Sequence, residues 1–245
     1  MKRAAYMRYE LLRTFRNRRY FILTFGFPLL LYFVIAGPNR NEHDLGHSGL
    51  PAALYYMVGL AAFGTMNAML SVGGRIAAER TVGWNRQLRL TPLSTRDYFR
   101  AKIVTAYLTA CVSLAVLYLA GTSLGVRLSA HEWVRMTGLI LVGLIPFGAM
   151  AILFGHLLNS DSIGPAMGGS VAVLALLGGT WFPITGGGAM YHVARALPSY
   201  WLVQASHVAV GGQGWGATGW AVVGGWSVVL GVLAGRAYRR DTARV

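Results

Sequence analysis

His43 and His47 stand four apart with Asp44 between them, and on a helix that spacing would turn both imidazoles toward one metal ion. Pro38, Gly46, Gly49 and Pro51 surround the pair and oppose a helix, so a solvated loop without metal is the expectation. Ser48 follows Gly46 and His47, but the next glycine comes one position too early for the GxSxG nucleophile elbow. A phosphate-cradling P-loop needs a Gly-rich turn closed by lysine, and the only lysines, Lys2 and Lys102, have no such context. The single cysteine, Cys111, sits in an apolar run, which excludes an intrachain disulfide and the Cys-based zinc motifs. Ion-coupled carriers usually hold a carboxylate or imidazole in mid-membrane. Here the apolar stretches have almost none, and His156 and Asp161 fall near their ends. The chain is therefore expected to have no catalytic, cofactor or metal residues of its own, and to draw its energy from elsewhere.

The elements that would carry any function are apolar. Hydrophobic residues make up 55% of the chain and charged ones 12%, with a mean hydropathy of +0.48. Apolar windows fall at about 21–37, 52–74, 103–125, 134–157, 163–182 and 217–236. At ~20 residues per crossing, these predict six transmembrane helices in an all-α polytopic membrane protein. A single membrane domain over 1–245 leaves no room for a soluble one. Residues 1–20 place Ala4, Met7, Leu11 and Phe15 at helical spacing with arginines elsewhere around the helix, the pattern of an interfacial helix rather than a signal peptide. Residues 183–216 combine a Gly-rich start, Pro198 and two short amphipathic stretches, which predicts a re-entrant segment between the fifth and sixth spans. Tyr191, Tyr200, Trp201 and Trp215 would suit the headgroup level there.

The net charge of +14 resides beside the apolar runs rather than over a polar surface, so it points to membrane topology and lipid, not nucleic acid. Counting Lys and Arg by connecting segment gives eighteen on one side and four on the other. Both termini and the loop 75–102 are thereby expected in the cytoplasm. GxxxG pairs at Gly121 and Gly125, Gly164 and Gly168, and Gly231 and Gly235 would permit close helix approach.

The inner loop carries the most specific pattern. Glu79 and Arg80 are followed by Gly83, then Trp84, Arg86, Leu88 and Arg89 in one helical stretch, then Pro92, Tyr98 and Lys102. Residues 83–90 can form a short helix that Pro92 ends, with Trp84, Leu88 and Leu90 as apolar knobs and Arg86 and Arg89 as donors. The same arginines would also enforce topology and bind anionic headgroups. This order resembles the permeases of type-2 ABC exporters, and the likeness runs over essentially the full length.

The resemblance implies a coupling helix, with Glu79, Arg80, Gly83, Trp84, Arg86, Leu88, Arg89 and Pro92, docked on a separate ATPase subunit. It further implies two copies of that ATPase holding ATP and Mg, a second permease copy or homologous half, and a plasma-membrane location. A path lined by the second and fifth spans would follow. Phe63, Met66, Asn67 and Leu70 share one helical face, and Met167, Val171 and Leu174 share another. That lining would suit export of a hydrophobic or amphipathic drug, antibiotic or lipid-like compound. The competing expectation is a membrane anchor or assembly factor that transports nothing.

Overall fold

The computed structural model describes residues 3–84, 87, 90–91, 93–210 and 214–243, and they contain helices but no strands. Helix α1 (Arg3–Phe15) is followed by α2 (Arg18–Phe21), a π-helical turn (Ile22–Gly26) and α3 (Phe27–Ala36). Next come α4 (Ala52–Thr81), α5 (Thr95–Ser123), α6 (Ala130–Gly143), α7 (Ile145–Leu157) and α8 (Ser160–Leu177). Two short helices, α9 (Ala189–Arg195) and α10 (Pro198–Gln204), precede α11 (Ala217–Ala243).

Among the described residues, five stretches are long and apolar enough to cross a membrane: Ala52–Thr81, Thr95–Ser123, Ala130–Leu157, Ser160–Leu177 and Ala217–Asp241. The apolar part of the first helical region, Thr24–Ala36, is shorter. Boundaries differ from the hydropathy windows in a consistent way. At its end α4 runs on to Thr81, and α5 starts at Thr95, because polar and charged residues continue both helices beyond their apolar parts. Ser94 caps α5 by accepting from the Asp97 N–H, and Ser129 with Glu132 forms a capping box on α6. Pro146 lies at the start of α7, where its missing N–H does no harm, and the break from α6 falls there.

Helix α4 is the centre of the bundle: 89% of its apolar window is buried, against 17% for α8 and 22% for α11. It packs on α3, α5, α7 and α8, while α11 lies along α7. In a bilayer little hydrophobic force drives helices together, so close packing and polar contacts must do it. Glycines supply the close packing. A Cβ at Gly73 would lie 2.6 Å from the Ala151 carbonyl oxygen, and one at Gly59 would lie 2.7 Å from that of Thr180. By contrast, Gly125, Gly164, Gly168, Gly231 and Gly235 of the GxxxG pairs have open space around them. Gly73→Ala is therefore expected to destabilise the protein by about 1–3 kcal/mol through overpacking, and Gly235→Ala to leave it unchanged. Thermal unfolding of the two variants in detergent micelles checks this.

The inward face of α1 is Tyr6, Glu10 and Thr14, while Ala4 and Phe15 are exposed outside the bundle. One local expectation is revised. Tyr200, Trp201 and Trp215 are buried inside the protein, with the Trp201 indole donating to Arg195 O at 3.0 Å and the Trp215 indole to Trp201 O at 2.5 Å.

Candidate functional site

Gly83 ends the long central helix in a left-handed turn, φ +68°, with its N–H donating to Arg80 O at 3.0 Å. Glycine adopts that conformation without a Cβ penalty, which is why it terminates helices so often. The residues just before this turn, Glu79 and Arg80, point in different directions and enter different ion networks.

Glu79 faces α1 and α5. Its Oε1 accepts from Lys102 Nζ at 2.5 Å and from Arg13 Nη1 at 2.7 Å, and its Oε2 accepts from the Tyr98 hydroxyl at 2.6 Å. Lys102 also donates to Glu10 Oε1 at 2.8 Å. Arg75 approaches the same Glu10 oxygen at 3.7 Å and donates to the Thr14 hydroxyl. Lys102 and Glu10 are 0% exposed and Glu79 3%, so this cluster is shielded from water. Charges without water must be paired. Two carboxylates facing Lys102, Arg13 and Arg75 meet that condition. Burial, then the Glu79 and Glu10 carboxylates, push the nearby Tyr6 hydroxyl well above its ordinary range, so it stays protonated. For Arg13, burial works against the charge, but Glu79 first and Glu10 after it outweigh burial and hold the guanidinium more firmly protonated than usual.

Arg80 faces the other way. It donates to the Gly155 and Leu158 carbonyls at 2.8 and 3.3 Å and pairs with Asp241 Oδ1 at 2.7 Å. Asp241 Oδ2 lies 3.0 Å from His156 Nδ1. Phe99 and Tyr238 pack edge-on around that imidazole, and Tyr238 donates to Thr95 Oγ1 at 3.0 Å. These contacts satisfy the open carbonyls at the end of α7 and fix the last turns of α11.

The segment from Val82 to Ser94 is thus held at both roots. On one side Glu79 and Arg80 grip it, on the other Tyr98 and Lys102, and between them they engage α1, α7 and α11. Within the segment, Val82 is 72% exposed and Leu90 90% exposed, two apolar side chains with no cover among the described residues. Trp84 is only partly exposed and packs against the core, so it acts as a root more than a knob. Arg86, Leu88, Arg89 and Pro92 lie outside the described residues. Tyr98→Phe removes one hydrogen bond to a buried carboxylate and should destabilise by about 1.5–3 kcal/mol. Arg13, 41% exposed, should matter far less. Thermal unfolding of Tyr98→Phe beside Arg13→Ala gives the ranking.

Residues 4–210 match the sequence profile of the ABC-2 type transporters. The chain belongs to that family. The ABC-2 match takes in α1, the central helix and the gripped segment together. The chain is also 29% identical over 196 residues to the Bacillus subtilis (strain 168) protein named "Putative transport permease YvfS", with 78% of each chain covered. With its five apolar helices, this ABC-2 protein is a multi-pass membrane protein.

The expected path residues divide by exposure. Met66 and Leu70 are 0% and 1% exposed, enclosed by the chain's own helices. Phe63 and Asn67 lie on the more open side of α4, where Phe63 meets Trp181 with ring centroids 5.6 Å apart and Asn67 donates to Phe63 O at 3.3 Å. Val171 is buried and Met167 and Leu174 partly so, on a helix that packs against α4. Sequence reasoning missed Glu10, Arg13, Arg75, His156 and Asp241. One signal was available: Glu10 is the only acidic residue among the first 41, amid many arginines.

Proposed function

We propose that this chain is the permease half of an ATP-driven exporter that moves a hydrophobic or amphipathic compound out across the plasma membrane. The observation that carries the proposal is the gripping of the Val82–Ser94 segment by two ion networks rooted in three further helices. A partner pushing on Val82 and Leu90 would move α4, α5, α1 and α11 together, because a charge cluster sealed from water resists local slippage.

In this reading the segment is the coupling element, and Arg86, Leu88, Arg89 and Pro92 complete it. Two copies of a separate ATPase, each with ATP and Mg, dock there, and a second permease copy or homologous half closes the transport path. The exposed faces of α8 and α11 are available for that contact or for lipid. The helical run ending at Ala36 serves as a sixth span, α1 lies at the inner interface, both termini are cytoplasmic, and 183–216 re-enters from outside. The charge imbalance between connecting segments supports this orientation. Phe63, Met66, Asn67 and Leu70, with Met167, Val171 and Leu174, would line the path.

Everted vesicles from cells expressing the chain with a co-purifying P-loop ATPase test the reading. ATP-dependent, vanadate-sensitive accumulation of a lipophilic dye such as rhodamine 6G is expected. If no ATPase co-purifies and ATP drives no movement, the chain is an anchor and not a permease.

A further inference from the structure

On the face opposite the gripped segment lies a cavity of about 360 Å³. Its wall is built from the first outer loop (His47, Ser48), the start of α4 (Tyr55), the Gly-rich turn after α8, and the short helices that follow. Tyr191, Tyr200, Gln204 and His207 come from those short helices and the 3-10 turn Ala205–Val210. The volume is at the lower end of the range of small-molecule pockets. It fits one ring-sized polar group better than a whole drug.

The chemistry of the wall is narrow. It holds three phenols, two imidazoles, an amide and hydroxyls, and no Asp, Glu, Lys or Arg. A fixed ionic partner is therefore missing for either an ammonium or a phosphate. Just outside the wall, Asp44 accepts from the Gly49 N–H through Oδ1 at 2.7 Å and has Oδ2 3.8 Å from His47 Nδ1, and Arg195 stacks on the Tyr191 ring at 5.3 Å. Tyr191 and Tyr200 stand perpendicular with centroids 6.3 Å apart, giving an aromatic corner. The His207 imidazole is half-buried at the cavity edge, against the backbone of Gln204 and Ser48. Aromatic faces with ring hydroxyls, imidazoles and an amide suit a group that is apolar on its faces and hydroxylated at its edges.

We infer that this outer cavity binds the uncharged, hydroxyl-rich head of an amphiphile, a sugar ring attached to an apolar tail. The inference deepens the export reading by naming a head group, and it rests on that reading only for its biological purpose. The same head belongs to a membrane glycolipid or to an exported glycoside.

Saturation-transfer NMR on the permease in nanodiscs, without ATP, tests it with methyl β-glucoside, choline and glycerol 3-phosphate as probes. The glucoside is expected to bind and the two charged probes not to. Tyr200→Phe and Gln204→Leu should each weaken glucoside binding at least fivefold while thermal unfolding stays within 2 °C of the parent. Discs containing glucosyl-diacylglycerol separate the sources: loss of the glucoside signal identifies the lipid as occupant, and its persistence identifies a diffusible glycoside. No glucoside binding, equal binding in both variants, or preference for choline or glycerol 3-phosphate overturns the inference. Because the readout needs neither ATPase nor transport, its failure leaves the export reading standing.

Discussion

Lys102→Met is expected to lower stability by about 3–5 kcal/mol, the largest effect of any single substitution considered, because it leaves two buried carboxylates without their shared cation. Lys102 is 0% exposed and bridges Glu10 and Glu79 at 2.8 and 2.5 Å. Arg13 and Arg75 remain nearby but do not replace that bridge: Arg13 is 41% exposed and Arg75 stands 3.7 Å from Glu10. Thermal unfolding in micelles and the yield of folded protein measure the loss. Adding Glu10→Gln to Lys102→Met should recover a substantial part of it by removing one stranded charge, a non-additivity expected of residues in one network. If Lys102→Met unfolds like the parent, the cluster is not sealed in the way described.

The second large effect is on coupling and not on stability. Gly83→Val should reduce ATP-driven transport at least tenfold while the complex still hydrolyses ATP. At φ +68° a β-branched residue is strongly disfavoured, by about 1–2 kcal/mol or more. Among the described residues no heavy atom beyond the two chain neighbours lies within 4 Å of a Cβ added at Gly83, so the strain is relieved by rearranging the turn itself. The helix bundle should stay intact, with an unfolding temperature close to the parent. Gly83→Asn should retain more transport than Gly83→Val, since Asn tolerates the left-handed region. Paired assays of dye accumulation and phosphate release in the same vesicles show whether the two activities separate.

Much of the architecture was legible in the residues. Hydropathy predicted six spans and located the five long helices among the described residues, while the first window coincides with the shorter Thr24–Ala36. It misplaced their ends, because Arg75, Glu79, Tyr98 and Lys102 are charged or polar and yet lie on the same helices. The Glu79–Arg80 pair was visible as a motif, but its physical role was not. That role depends on Asp241, 161 positions from Arg80, and on links made only through packing: Lys102 joins Glu10 to Glu79, and Asp241 joins His156 to Arg80. On α1 the apolar periodicity marked the face that stays outside the bundle, but gave no sign that Glu10 on the inner face pairs with Lys102. Of the GxxxG glycines Gly121 alone closes on a neighbour, Met57, while Gly59 and Gly73 belong to no such pair, because a close approach depends on what lies opposite, which spacing alone does not encode. The outer cavity was beyond reach for the same reason: His47, Tyr55 and His207 converge only in the fold.

The orientation and exposure of the gripped segment can be read at one position. With Cys111→Ser as background, Gln87→Cys places a thiol at an exposed site in the middle of the segment. A membrane-impermeant maleimide should leave it unlabelled in intact cells, label it fully in everted vesicles, and lose most of that labelling when the ATPase is bound. Labelling from outside intact cells, or labelling in everted vesicles that the bound ATPase does not change, would contradict a cytoplasmic segment that receives work from a partner.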